Sequence, residues 1–304
     1  MFHVEHPQGE SSTRICVSIT EPQDVGLWRS QRPSVSKPRM RQKNFLTYPR
    51  CSKWAPNEQT LANLMSYREN KEQQNLLNQF LTEHGIKLPE DVLGKLYDFA
   101  DLVVETKQFG NLISAKDSEK FLSRHIADSL VPYIYIRRET RDERREKEDD
   151  NFPNALSSSV CSEPASVLSS KKWADMGAGA GCPIFPLAIV MPEVEFFAVE
   201  PRNMRVQFMK YAKEKLHLDN LTVVGKRFET SGLAYLDFVS CRALSTFEND
   251  WERAQPGLVG GGKFLTLKSY NNIVHLENDP AVHIYKYALP QEEQPYALVT
   301  RGNE

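Results

Sequence analysis

The hydrophobic pattern of the chain changes period once. Up to residue 136 apolar residues recur three and four apart, the spacing of one helix face. Beyond residue 170 they fall in short runs separated by glycine, proline and polar residues. Leu76, Leu77, Phe80 and Leu81 make a first stripe, ended by His84-Gly85. Pro89 opens a second helix carrying Leu93, Leu96, Tyr97, Ala100, Val103 and Val104. Asp117 or Ser118 caps a third, with Phe121, Leu122, Ile126 and Leu130 facing inward. After Lys171 the pattern predicts strands at 172–176, 194–199, 221–224, 236–241 and 263–267, the last following Gly260-Gly261-Gly262. Helices are predicted between them at 183–190, 202–216 and 247–258. Two alternating runs, Val282 to Tyr287 and Tyr296 to Thr300, close the chain as an antiparallel pair.

Alternating strands and helices argue for an α/β fold: an open, mostly parallel sheet with helices on both faces and an antiparallel strand at its end. Four segments follow. Residues 1–57, rich in Pro, Ser, Gln and Arg without a sustained period, read as a disordered basic extension. Residues 58–136 read as a small helical cap, and 171–304 as the α/β domain. Between them, 137–170 reads as a charged, Ser/Pro-rich surface insertion. Six basic and seven acidic residues lie between Arg137 and Asp150, and i,i+4 pairs such as Glu143 and Lys147 can support an exposed helix there.

Charge and cysteine content narrow the setting. The chain has 304 residues and a formal charge of −2, which argues against a protein that coats nucleic acid over its whole surface. Residues 1–57 nonetheless hold nine basic and four acidic side chains, so a local basic arm toward RNA is one reading of that segment, and a solvated tail is the other. The five cysteines are odd in number, scattered and without Cys-x-x-Cys spacing. They predict neither a disulfide framework nor a metal site, and a reducing cytoplasm is the simplest setting. No stretch reaches the length of a membrane span.

The chemistry concentrates at Asp175-Met176-Gly177-Ala178-Gly179-Ala180-Gly181-Cys182-Pro183. Glycines at alternate positions let a strand turn sharply into a helix while the backbone approaches a ligand closely. Nineteen residues after Gly181, Glu200 ends the next apolar run, where a carboxylate can accept both hydroxyls of a ribose. A dinucleotide site asks for Gly-x-Gly-x-x-Gly and tolerates no acid beside the diphosphate. Here the spacing is Gly-x-Gly-x-Gly, and Asp175 stands two residues before the first glycine. An acid there suits a cationic nucleoside, so S-adenosyl-L-methionine (SAM) is favoured over a nicotinamide dinucleotide. The blander alternative is an ordinary tight strand-to-helix turn with Asp175 as a helix cap.

With these motifs in view, the chain resembles the RsmG (GidB) family, bacterial methyltransferases that modify a guanine N7 in the 530 loop of 16S ribosomal RNA. The likeness covers roughly 75–136 and 171–300 and rests on Asn111-Leu112, Arg124-His125-Ile126-Ala127-Asp128-Ser129, Asp175 to Pro183, Glu200, Arg205, Arg242-Ala243 and Leu267-Lys268. It implies a Rossmann-like class I SAM-dependent methyltransferase. Gly177, Gly179 and Gly181 would cradle the methionyl part together with Asp175 and Pro183. Glu200 would hold the ribose, Phe228 and Glu229 would flank the adenine, and Arg242 would serve both cofactor and substrate. His125, Asp128, Arg205, Arg242 and Lys268 would line the catalytic side. The 16S rRNA or the small ribosomal subunit is the implied partner, for a cytoplasmic monomer without membrane attachment. The chain departs from the family pattern at Thr106-Lys107, where Trp-Asn is usual, and at Ile184, where glycine is usual.

Guanine N7 has a free lone pair at neutral pH, so such a reaction needs no general base and rests on positioning and electrostatic fit. Arg205, Arg242 and Lys268 can hold phosphates or guanine O6, the competing reading of each being an ion pair with a nearby acid. His125 is either catalytic or a partly buried ring tied to Asp128, three residues on. Two other functions stay open on these residues: a SAM enzyme with another RNA or small-molecule target, and a SAM-binding interaction protein without chemistry.

Overall fold

The computed structural model describes residues 66–149 and 168–304. The basic extension 1–57, the onset of helical pattern at Glu58 and the Ser/Pro-rich part of the insertion lie outside the described residues.

Helix α1 (Lys71–Glu83) is capped by the Asn70 side chain, which accepts from the Gln73 amide at 3.1 Å. It ends where Gly85 takes a left-handed φ of +71°. Helix α2 (Glu90–Glu105) follows Pro89 and buries Leu96, Tyr97, Phe99, Ala100 and Val103. The expected third helix is three pieces. Ser114, rather than Asp117 or Ser118, caps the short α3 (Ala115–Ser118). A π-helical stretch, Phe121–Ile126, follows, and then α4 (Ala127–Asp149). The wider π turn keeps Phe121, Leu122 and Ile126 fully buried and carries Arg124 and His125 in between. Helix α4 runs unbroken through Arg137 to Asp149, so the charged run as far as Asp149 is one helix with the last element of the cap.

The second half is a seven-stranded sheet in the order β3-β2-β1-β4-β5-β7-β6. Strands β1 (Lys172–Met176), β2 (Glu195–Val199), β3 (Leu221–Val224), β4 (Leu236–Arg242) and β5 (Leu258–Ser269) are parallel. β7 (Tyr296–Gly302) runs antiparallel between β5 and β6 (Val282–Tyr287). This is the open, mostly parallel sheet expected from the alternation, and the Rossmann-like class I methyltransferase arrangement that the resemblance implied. Between the strands lie α5 (Ile184–Val190), α6 (Asn203–Leu216) and α7 (Phe247–Ala254).

Two details differ from the pattern-based reading. Helix α7 stops at Ala254 and gives way to a 3-10 turn containing Pro256. β5 begins at Leu258 rather than Lys263, because the glycines form a bulge: register jumps from Leu236↔Leu258 to Phe238↔Lys263. A Cβ at Gly262 would stand 3.0 Å from the carbonyl oxygens of Leu236 and Val259, so strand packing itself excludes a side chain there.

Alternation along the strands sorts the core into two layers, one on each face of the sheet. On the first, Trp173, Phe196, Leu265, Leu267, Leu298 and Tyr287 pack against the cap, α5 and α6. On the second, Met176, Val239, Cys241, Phe264 and Val299 pack against Phe247 and Trp251 of α7. The cap is joined to the sheet through aromatic contacts. Phe99 of α2 stacks on Phe185 of α5 at 5.0 Å, and Phe109 meets Phe208 and Tyr211 of α6.

Candidate cofactor and RNA site

The sheet reverses direction of growth between β1 and β4, and the crevice outside the carboxyl ends of such strands is where ligands bind in open α/β sheets. The glycine motif leaves β1 at that place. Gly177, Gly179 and Gly181 all adopt left-handed backbone, with φ of +78°, +60° and +95°. Neighbours crowd two of them. A Cβ on Gly181 would lie 2.6 Å from Phe185 Cδ2, and one on Gly177 would lie 2.9 Å from Leu244 Cδ1. One on Gly179 would meet the Arg205 guanidinium at 3.3 Å and the Gly177 carbonyl oxygen at 3.8 Å. Pro183, joined to Cys182 by a cis peptide bond, leads into α5.

Glu200 is 3 % exposed and pins this loop. Its Oε2 accepts from the Gly179 amide at 3.0 Å and its Oε1 from the Arg202 amide at 2.9 Å, with Arg205 Nη1 3.9 Å from Oε2. Each oxygen keeps a lone pair for a further donor. Asp175 is buried, and Ser240, its register partner on β4, donates to Oδ1 at 2.7 Å. Burial pushes the Asp175 carboxyl up to about 7, despite the Ser240 hydrogen bond and the nearby Arg242 charge. A cationic ligand beside it would stabilise the carboxylate, whereas a diphosphate would not. The residues present therefore fit a cationic nucleoside such as SAM. Of the two residues expected to flank the adenine, Phe228 is buried in the core against Gly257 after β3, and Glu229 is ion-paired with Arg253.

The five catalytic-side residues do not form one cluster. Arg242, at the end of β4, faces the cap, where its Nε lies 2.6 Å from Asp128 Oδ2. Tyr287 of β6 donates to the other Asp128 oxygen. His125 is not tied to Asp128, as its spacing suggested. The π turn swings it toward Asp117, whose Oδ1 lies 3.4 Å from Nε2, outside hydrogen-bond geometry. Burial and the Arg242 charge press its pKa down to about 4, so the ring is neutral near pH 7. Arg205 sits at the rim beside Glu200. Lys268 points to the opposite face of the sheet. Its side chain is 7 % exposed and its Nζ lies 2.7 Å from Asp250 of α7, itself fully buried. Of the two departures from the family pattern, Ile184 puts its side chain wholly into the core, and Thr106 serves as the C-cap of α2.

Sequence reasoning missed Ser240, Tyr287, Leu244 and Asp250. Tyr287 and Ser240 carried only a strand signal, and Asp250 stood as one polar residue in a short helix. The sole readable hint was the alternation that sets Ser240 two residues before Arg242 and so on the same face.

The family signature described as GidB, rRNA small subunit methyltransferase G, matches residues 154–294. The chain is 30 % identical over 201 residues to a protein named ribosomal RNA small subunit methyltransferase G from Staphylococcus haemolyticus, covering 65 % of this chain and 72 % of that one. Over 194 residues it is 28 % identical to the protein of the same name from Lactococcus lactis, covering 62 % and 70 %. Among solved structures, it is similar at a TM-score of 0.37 and 18 % identity to a precorrin-6y methyltransferase from Geobacter metallireducens, over 52 % of this chain and 96 % of that one.

Proposed function

Because the chain belongs to the ribosomal RNA small subunit methyltransferase G (GidB) family, we propose that it methylates N7 of a guanine in the 530 loop of 16S rRNA, with SAM as donor. The observation that carries this reading is the left-handed glycine loop at the strand-order reversal, pinned by Glu200 and flanked by Asp175.

The donor supplies an electrophilic methyl group on a sulfonium. The left-handed backbone of Gly177, Gly179 and Gly181 cradles its amino-acid end, with Gly179 the least crowded of the three, and Asp175 complements its positive charge. Pro183 starts the helix beside it. Glu200 has lone pairs free for ribose hydroxyls while it holds Gly179, and Phe228 forms the adenine wall with Glu229 at its rim. On the substrate side, Arg205 offers a rim cation for RNA phosphate, and Arg242, aligned by Asp128, offers its guanidinium edge to guanine O6 or to the donor. His125 is neutral and needs to take no proton, because guanine N7 already presents a lone pair. What the residues contribute is alignment, where effective molarity lowers the barrier by about 7–11 kcal/mol.

The chain acts as a cytoplasmic monomer on small-subunit RNA. No helix among the described residues is long and apolar enough to cross a membrane. Mapping methylated guanines in a strain lacking the gene tests the reading. Loss of a single N7-methylguanine from 16S rRNA is expected. Loss of a different mark points to another substrate, and an unchanged profile to a binding protein without chemistry.

A further inference from the structure

The turn after β4, Arg242 to Thr246, is held on both faces of the sheet. On the cap face Arg242 is fixed by Asp128. On the α7 face Asp250 gathers four groups. Ser245 Oγ donates to its Oδ1 at 2.6 Å, and the Ser245 amide, Cys241 Sγ and Lys268 Nζ approach Oδ2 at 3.3, 3.5 and 2.7 Å. Lys268 Nζ also donates to the Ser245 carbonyl. Between these anchors Ala243 is forced to a φ of +49°, a left-handed conformation that a residue with a Cβ adopts only when its surroundings impose it. The result is that Leu244, 36 % exposed, lies over Gly177 at the mouth of the glycine loop.

We infer that Lys268 is a positioning residue: through Asp250 and the Ser245 carbonyl it holds the strained Ala243 turn that seats Leu244 on Gly177 and aims Arg242. Four observations carry this. Lys268 lies on the sheet face opposite Arg242, its side chain is only 7 % exposed, its two partners are both members of the clasp, and the turn it holds contains Leu244, which packs on the first glycine. Leu244 thereby forms an apolar wall where the donor's reactive end and the target base must meet. This role rests on the methyltransferase reading above.

The test compares Lys268→Met, Ser245→Ala and the double variant of the full chain, using small-subunit RNA that lacks the methyl mark. kcat and KM for RNA are measured at saturating donor over a range of salt, with amide exchange followed in the turn. Lys268→Met is expected to lower kcat per folded molecule by about a hundredfold, the scale of an ångström-sized misplacement. KM for RNA and its salt dependence are expected to stay as in the parent, and the Ser245 amide to exchange faster. Ser245→Ala lowers kcat less, and the double variant is no slower than Lys268→Met alone, because both act through one carboxylate. A rise in KM with a salt slope smaller by about one identifies a direct phosphate contact and overturns the proposal. So does unchanged protection of the turn, or loss that is additive in the double variant. Should Lys268→Met fail to fold, Ser245→Ala decides: unchanged exchange and unchanged kcat together sink the clasp. If the parent protein leaves the RNA unmethylated, the functional reading fails, and the exchange data still judge the clasp.

Discussion

Two buried ion pairs flank the turn after β4, one on each face of the sheet, and they do different work. Asp128–Arg242, on the cap face, joins a helix of the cap to the end of a central strand, with Tyr287 of the edge strand as third member. Asp250–Lys268, on the α7 face, joins β5 to a helix that follows the turn directly, so it closes a short local loop. The first pair sets where the cap stands over the site; the second sets the shape of the site's wall. A buried pair adds little net stability over an apolar contact, but it is costly to break from one side. Each pair therefore specifies an arrangement more than it strengthens the fold.

The largest expected effect comes from the drier pair. Asp250→Ala strands the Lys268 amine and is expected to cost about 3–5 kcal/mol in denaturant unfolding. Asp128→Ala leaves Arg242, whose side chain is 19 % exposed, and is expected nearer the low end, about 3 kcal/mol. If Asp128→Ala proved the more damaging, the cap joint rather than the clasp would dominate. On the cap face, Gly179→Val adds a β-branched side chain at a φ of +60°. It is expected to cost about 1–3 kcal/mol in stability and to remove donor binding measured by calorimetry. Retained donor binding would show that the glycine loop is not the cradle.

A pH-dependent effect, spread over about three pH units, follows from Asp175. Its folded-state pKa, raised to about 7, lies above that of the unfolded chain, so the fold holds this proton more tightly. Its contribution is full below about pH 4 and is lost as pH rises toward 7, with a slope of at most about 1.4 kcal/mol per pH unit. Thermal melts across that window should show the slope in the parent and its absence in Asp175→Asn. The smallest effect belongs to the rim. Arg205→Ala breaks a 3.9 Å, part-exposed contact and is expected to change stability by less than about 1 kcal/mol, while weakening RNA binding and flattening its salt dependence.

Much of this was legible beforehand. The strands from β1 to β4 and both C-terminal strands stand where the alternation put them, because buried strands must repeat at two residues and helices near 3.6. The glycine loop was readable for the same reason that it is needed: three left-handed positions in a row of nine residues leave few side chains possible. The third cap helix was not legible, since a π turn differs from an α turn by one hydrogen-bond partner and leaves no mark in spacing. That single shift moved His125 from Asp128 to Asp117.

What the sequence determined by itself was the architecture and the place of the left-handed glycine loop, both encoded in local periodicity and in backbone conformations open mainly to glycine. What only the tertiary structure decided was which cation meets which acid. Arg242 and Lys268 are chemically alike in sequence, yet neighbouring strands β4 and β5 aim them to opposite faces of one sheet, toward Asp128 and Asp250. Pairing of charges depends on distances across the fold, and those are set by strand register and helix packing rather than by spacing along the chain.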